Sequence, residues 1–498
     1  MSSRKSALDW LDTNSHEMFE MSDLLFKWAE PGLREYKSGK HLADYMKQQG
    51  FIVEMGVSDM PTAFNSTWGT EGPVIGFFAE YDATPGHSQK PVPYDAPEVP
   101  YGPGFTDAHN MLGVAGCFAA ASLKHVIEEY DLKAQIRLLG TPAEKLCVGK
   151  PFMARDGWFD GMDCLLAWHP GGPTTVLGEV WPRTYKSKVY SFKVKAAAEG
   201  QSGAVTYPGA LDAAVLMYNN VNMMKEHMPA LMRRGGSINE FMMTGGQCTV
   251  ANPTLSQVVY AWRNSNITDQ ESVEKVVDRC AAGAALVADC VVEPRVLTAV
   301  RTGLPNTVMK EVVWKNLMEI GAPAYTEEDK AFARDIQRNM GLEPLDEPMY
   351  TEIVPPEKAY GDFHPADDVN EFTWHCPTAR LYVSKAMQPI PSVRYPRWAS
   401  STLCGMGVTH RMGMCAAQIL ALSAIDVIEN PQLLKEAWAE FNERKKKHDE
   451  SPLLPEGLMP PVELRWPEWV DRPGSEWWIP PPNKLREIAW GEGLSLLS

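Results

Sequence analysis

Asp107 and His109 stand two residues apart in "GPGFTDAHN", a Gly/Pro-rich loop that opens a helix-like run of small residues. Glu144 and Lys145 stand side by side in "GTPAEKLCVGK", and His169 closes "DCLLAWHP". A cluster of imidazoles and carboxylates is the donor set of a borderline divalent ion such as Zn²⁺ or Mn²⁺, whose task would be to activate a water. A nearby carboxylate with a raised pKa would accept that water's proton. Singly, each residue has a plainer reading. A histidine at a strand end is commonly a hydrogen-bonded core residue, Asp107 suits a helix cap, and Glu144–Lys145 suits a surface ion pair.

The elements that must position these residues decide between the readings. "PVIGFFAEYD" is a short apolar run ending in Glu80 and Asp82, "AQIRLLGTPAE" ends toward Glu144, and "DCLLAWHP" ends at His169. Such runs are strands buried on both faces. They alternate with helical stretches, as in "AHNMLGVAGCFAAASLKHVIEEY", which is the βαβ pattern of a three-layer α/β domain. Ligand crevices in open α/β sheets lie outside the carboxyl ends of the strands, so Asp82, Asp107, His109, Glu144 and His169 are expected to converge there. Together they favour a metal site, with Glu144 and Asp82 as the candidate catalytic carboxylates.

After residue 185 the pattern changes to half-exposed strands ("SKVYSFKVKAAAEG", "QVVYAWRN", "VVEPRVLTAV") separated by two helices. This predicts a small α+β unit at 187–303, interrupting a catalytic domain formed by 1–186 and 304–449. Residues 450–498 hold nine prolines and five tryptophans. Such a stretch is no regular element, yet its indoles seek burial, so an extended segment docked on the body or on a neighbouring subunit is expected.

The 498 residues are 44% hydrophobic and 22% charged, with a formal net charge of -16, which excludes a nucleic-acid footprint. The N-terminal stretch lacks a signal-peptide pattern and no run of about 18 apolar residues is seen, so a cytoplasmic protein without a membrane span is expected. The nine cysteines stand singly, without a CxxC, as reduced core residues would.

"EYDATPG", "DAHNMLGVAG", "GTPAE", "GKPFMARDGWFDGMDCLLAWHP", "ALDAAVLM", "GLPN" and "DDVNEFTWHCPTA", in this order over residues 15–430, resemble the metallopeptidase superfamily of aminoacylases, carboxypeptidase-G-type enzymes and auxin-conjugate amidohydrolases. The p-aminobenzoyl-glutamate hydrolase branch is the most similar. The resemblance implies a catalytic domain interrupted by a lid and dimerisation domain, one or two divalent ions per chain, and a homodimer or larger assembly acting on a small molecule. It implies Glu144 as general base, and Asp107, His109, His169 and a histidine near the C-terminal helix as ligands. His410 is taken for that last ligand on a one-residue insertion in "THRMGM", because Arg411, which falls on the position without it, is no metal ligand.

Two departures bear on the chemistry. The motif's second glutamate, a metal ligand, is Lys145 here, and an ammonium cannot ligate. The lid histidine that binds the developing oxyanion falls on or near Glu199. Lys145, Glu199, Arg263 and His375 are the candidate substrate contacts, while His364, Arg394 and Arg397 carry a weaker claim. The resemblance favours amide cleavage of an N-acyl or aroyl amino acid. The departures favour a branch that removes the amino group of 5-nitroanthranilate, where the ring takes up the negative charge. A ligand-binding relative without turnover is the third reading, opposed by the retention of Glu144, Asp107, His109 and His169 together.

Overall fold

The computed structural model describes residues 2–195, 208–232, 236–246, 252–359, 365–448 and 451–464 of the chain. Its body is a seven-stranded mixed sheet in the order β1-β2-β4-β3-β5-β11-β6, formed by β1 (Ile52–Met55), β2 (Phe64–Trp68), β3 (Val74–Ala79), β4 (Gln135–Gly140), β5 (Cys164–Gly171), β6 (Thr175–Val176) and β11 (Thr378–Ser384). β4, β3, β5 and β11 run parallel; β2 and β6 flank them antiparallel, and the edge strand β1 pairs antiparallel with β2. Phe77, Phe78 and Ala79 of β3 are fully buried, as a strand covered by helices on both faces requires.

Two helices pressed on this sheet, His109–Tyr130 and Gly407–Glu429, are long and apolar enough by length and composition to cross a membrane. The apolar windows are 89% and 78% buried within the fold, the mark of core helices, so their apolar character serves packing. The first helix rides directly on β3. A Cβ on Gly116 would meet the Phe78 carbonyl oxygen at 2.4 Å and one on Gly113 that of Glu80 at 2.7 Å. Only glycine allows this approach, and it brings the helix start, with His109, beside the end of β3.

A second sheet, antiparallel in the order β10-β7-β9-β8, is formed by β7 (Thr184–Val194), β8 (Ser237–Thr244), β9 (Leu255–Asn264) and β10 (Cys290–Val300). Alternation along each strand gives it two unlike faces. Tyr190, Phe192, Val258, Tyr260 and Trp262 join one core with the helices Ala210–Lys225 and Ile267–Val287. Tyr185, Ser187, Val259, Ala261 and Arg263 line a cavity on the opposite face. The eight described cysteines are buried and free.

Candidate active site

The residues at the ends of β3, β4 and β5 meet at the start of the helix His109–Tyr130. Glu144–Leu146 forms one 3-10 turn bracketed by Ala143 (φ 58°) and Cys147 (φ 52°), both left-handed without being glycine. Side chains behind the turn hold this unusual backbone. The buried Glu35 accepts the Ala143 N–H at 2.7 Å, and the Thr298 hydroxyl donates to the Cys147 carbonyl.

His109 is the hub. Its Nδ1 lies 2.9 Å from Asp82 Oδ1, while Asp82 Oδ2 accepts the Lys145 backbone N–H at 2.8 Å. Asp82 therefore orients the imidazole and the turn rather than reaching the crevice itself, the duty of a carboxylate behind a ligand histidine. Around His109 Nε2 stand Glu80 Oε2 at 3.3 Å, His169 Nε2 at 3.4 Å, Asp107 Oδ2 at 3.5 Å and Glu144 Oε2 at 3.7 Å. The Lys145 ammonium enters the same space, 3.1 Å from His109 Nε2, 2.9 Å from Asp107 and 2.6 Å from Glu144.

Burial and charge set the protonation states. Burial raises the Glu144 pKa against the pull of Lys145, leaving it at about 7, where a general base works best. Burial opposes the charge of Lys145, but Asp107 and Glu144 outweigh it and hold the ammonium. Burial also opposes ionisation of Asp107, and the charges of His109 and Lys145 keep it a carboxylate nonetheless. Burial, then Arg380, keeps His169 neutral; with its Nδ1 2.6 Å from the Pro170 carbonyl, the Nε2 lone pair faces the hub. His109 is contested: burial lowers its pKa, Asp107 raises it, and the value stands at about 9 until another cation competes for the same carboxylates.

These distances fit one divalent ion. Two donors about 2.1 Å from a tetrahedral ion lie about 3.4 Å apart, and the His109–His169 and His109–Glu80 separations match that spacing. Glu80, His109 and His169 form one ligand-like group, and Asp82, His109 and Glu144 another. The space between Asp107 and Glu144 is taken by the Lys145 ammonium.

The remaining candidates scatter. His410 does not join the cluster: its Nε2 is 2.7 Å from Asp23, and its ring stacks on Phe19, both on the helix Ser15–Trp28. His375 is not a crevice residue either. It precedes β11, at the end of the parallel strands opposite His169, where its Nδ1 lies 2.7 Å from Asp160. Glu199 and His364 lie outside the described residues. Arg263 does line the cavity into which Lys145 opens, its guanidinium 4.9 Å from the Tyr185 ring and its Nη1 2.9 Å from Asn239. Sequence reasoning missed the buried row beneath the hub, although "ADDVNEFTW" pointed toward it. Lys150 Nζ meets Asp368 at 2.6 Å and Glu80 at 2.6 Å, the latter an ion pair without hydrogen-bond alignment, while Arg380 meets Asp367 at 2.5 Å.

No family model matches the chain. It is 27% identical over 462 residues to a p-aminobenzoyl-glutamate hydrolase polypeptide of Escherichia coli K12, covering 87% of this chain and 94% of that one. It is 26% identical to the human Xaa-Arg dipeptidase over 313 residues, 59% of this chain and 66% of the relative. Among solved structures it shares its fold with the aminobenzoyl-glutamate utilization protein from Klebsiella pneumoniae (TM-score 0.50, 16% identity, 82% of this chain and 98% of that one). It also shares it with AtUAH in complex with glyoxylate (TM-score 0.51, 12% identity, 82% and 98%). The resemblance read from the motifs therefore holds: the chain is a homologue of p-aminobenzoyl-glutamate hydrolase and an enzyme of the metal-dependent C–N hydrolases.

Proposed function

We propose that the enzyme cleaves the amide of a small aroyl or acyl amino acid of the p-aminobenzoyl-glutamate kind, with Glu144 as proton shuttle. The observation that carries this is the buried Glu144 carboxylate, poised at about pH 7 and 3.7 Å from the nitrogen of His109 that faces His169. His109 and His169, with Glu80 or Asp107, would hold one Zn²⁺ or Mn²⁺ ion, which when bound would polarise the carbonyl and acidify a water. Glu144 takes the water's proton and later delivers it to the leaving amine. Lys145, fixed by Asp107 and Glu144, lends its positive charge to the oxygen on which negative charge develops. Arg263, which among the described residues has no carboxylate within ion-pair distance, suits the substrate's own carboxylate.

A second reading, hydrolytic deamination of an aromatic amine such as 5-nitroanthranilate, is favoured by the size of the cavity. Its volume is about 190 Å³, and an apolar cavity of about 150 Å³ holds a single benzene. Incubation of the metal-loaded enzyme with both substrates separates the readings. Glutamate release from p-aminobenzoyl-glutamate supports the first, and ammonia from the nitroanthranilate with no glutamate from the other compound overturns it.

A further inference from the structure

We propose that the C-terminal segment Leu458–Leu464, which follows the last helix and packs back on the body, is a wall of the substrate cavity and sets which ring the enzyme accepts. This rests on the cavity beside Lys145 being the substrate's place. Lys145 opens one side of it, Tyr185 and Val259 of the second sheet form another, and Pro461 and Leu464 close it. Leu464 packs against the group formed by Val189, Val259 and Leu297.

The segment is held mainly through its main chain, with one side-chain ion pair beside it. Arg34, itself buried, donates Nη1 to the Val462 carbonyl at 3.0 Å and Nη2 to that of Leu464 at 2.7 Å. Arg155 donates to the Leu458 carbonyl, and Arg295 of β10 pairs with Glu463. Leu33, in the left-handed region at φ 63°, turns the chain so that its own side chain lines the cavity while Arg34 reaches the segment. A clamp on carbonyl groups is blind to side chains. The residues at 461 and 464 can therefore change the shape of the cavity without releasing the segment, which is what a specificity wall requires.

The cavity takes one aromatic ring or an equally compact apolar group. The test uses the full chain, Leu464→Ala and Arg34→Met, with p-aminobenzoyl-glutamate and its 2-naphthoyl analogue. Leu464→Ala is expected to shift the kcat/KM ratio toward the naphthoyl compound by about tenfold or more, the usual effect of a few methylenes in a pocket. Arg34→Met is expected to raise KM for both with kcat nearly kept. A ratio within twofold of the parent in Leu464→Ala overturns the proposal, as does an unchanged KM in Arg34→Met. Should the parent cleave neither compound, the proposed function fails, and the wall is read from binding instead. The Kd ratio of p-aminobenzoate and 2-naphthoate then shifts in Leu464→Ala if the segment is a wall, and stays put if it is not.

Discussion

Lys145 and Lys150 lie five residues apart, each held between two carboxylates, yet they do different work. Lys150 is sealed: its side chain is 0% exposed, with Glu80 and Asp368 both at 2.6 Å. Lys145 is bonded as tightly, to Glu144 at 2.6 Å and Asp107 at 2.9 Å, but keeps 15% of its side chain open and lines the cavity. Both are held as ammonium by the same balance of burial against carboxylate charge. Access alone separates them: a closed cation neutralises the fold's own acids, and an open one can also serve a ligand.

Substitutions at the two lysines and their partners test this contrast. Glu144→Gln removes the partner of the open lysine that carries the proton, and turnover is expected to fall by about 10²- to 10⁴-fold with metal uptake unchanged; near-normal turnover would mean that another group is the base. In the parent the rate should rise with pH through about 7, as Glu144 loses its proton. Lys145→Met should move that limb upward, because the ammonium favours the ionised carboxylate.

Lys150→Met leaves Glu80 and Asp368 facing each other without a cation, and a loss of about 3–5 kcal/mol is expected in denaturant unfolding. A smaller loss than Lys145→Met produces would reverse the roles assigned to the two lysines. Lys145→Glu puts a carboxylate where the related motif has one. Metal analysis should then find two ions per chain against one in the parent, and an unchanged count would show that more than this ligand is missing.

The smallest effect concerns Glu35, behind the turn. Burial, then the charge of Asp82, raises its pKa from 4.5 to about 8. Between these values the folded state keeps a proton that the unfolded chain has released, so stability falls as pH rises, by up to about 1.4 kcal/mol per pH unit. Glu35→Gln should flatten that slope in unfolding curves collected across the window, and an unaltered slope would place the proton elsewhere.

How far the sequence could be read follows from these same parts. β3, β4, β5 and the helix from His109 were legible because continuous apolar runs mark a sheet covered on both faces. β1 and β8 were not, being part-exposed strands at the sheet edges with no such run. The second sheet spans Thr184 to Val300, against an expected 187–303. Asp107, His109, Glu144 and His169 were found because strand ends and a helix start fix where they go. His410 was misplaced because a motif gives a position along a helix but not the neighbour its ring meets, here Phe19 and Asp23. His375 was misplaced because its motif borders the crevice in sequence, while the strand that follows carries the chain from the far end. The link from Lys150 to Asp368 spans 218 residues, and nothing local announces it.

The turn that carries Glu144 and Lys145 has a consequence for protein engineering. Ala143 and Cys147 adopt a backbone that glycine would take at no cost, and each holds about 1–3 kcal/mol of strain. Glycine there would relieve the strain and also loosen the loop. A programme that ranks variants by heat resistance alone would favour glycine at 143 or 147, and would select a sturdier protein whose base and ammonium no longer arrive together.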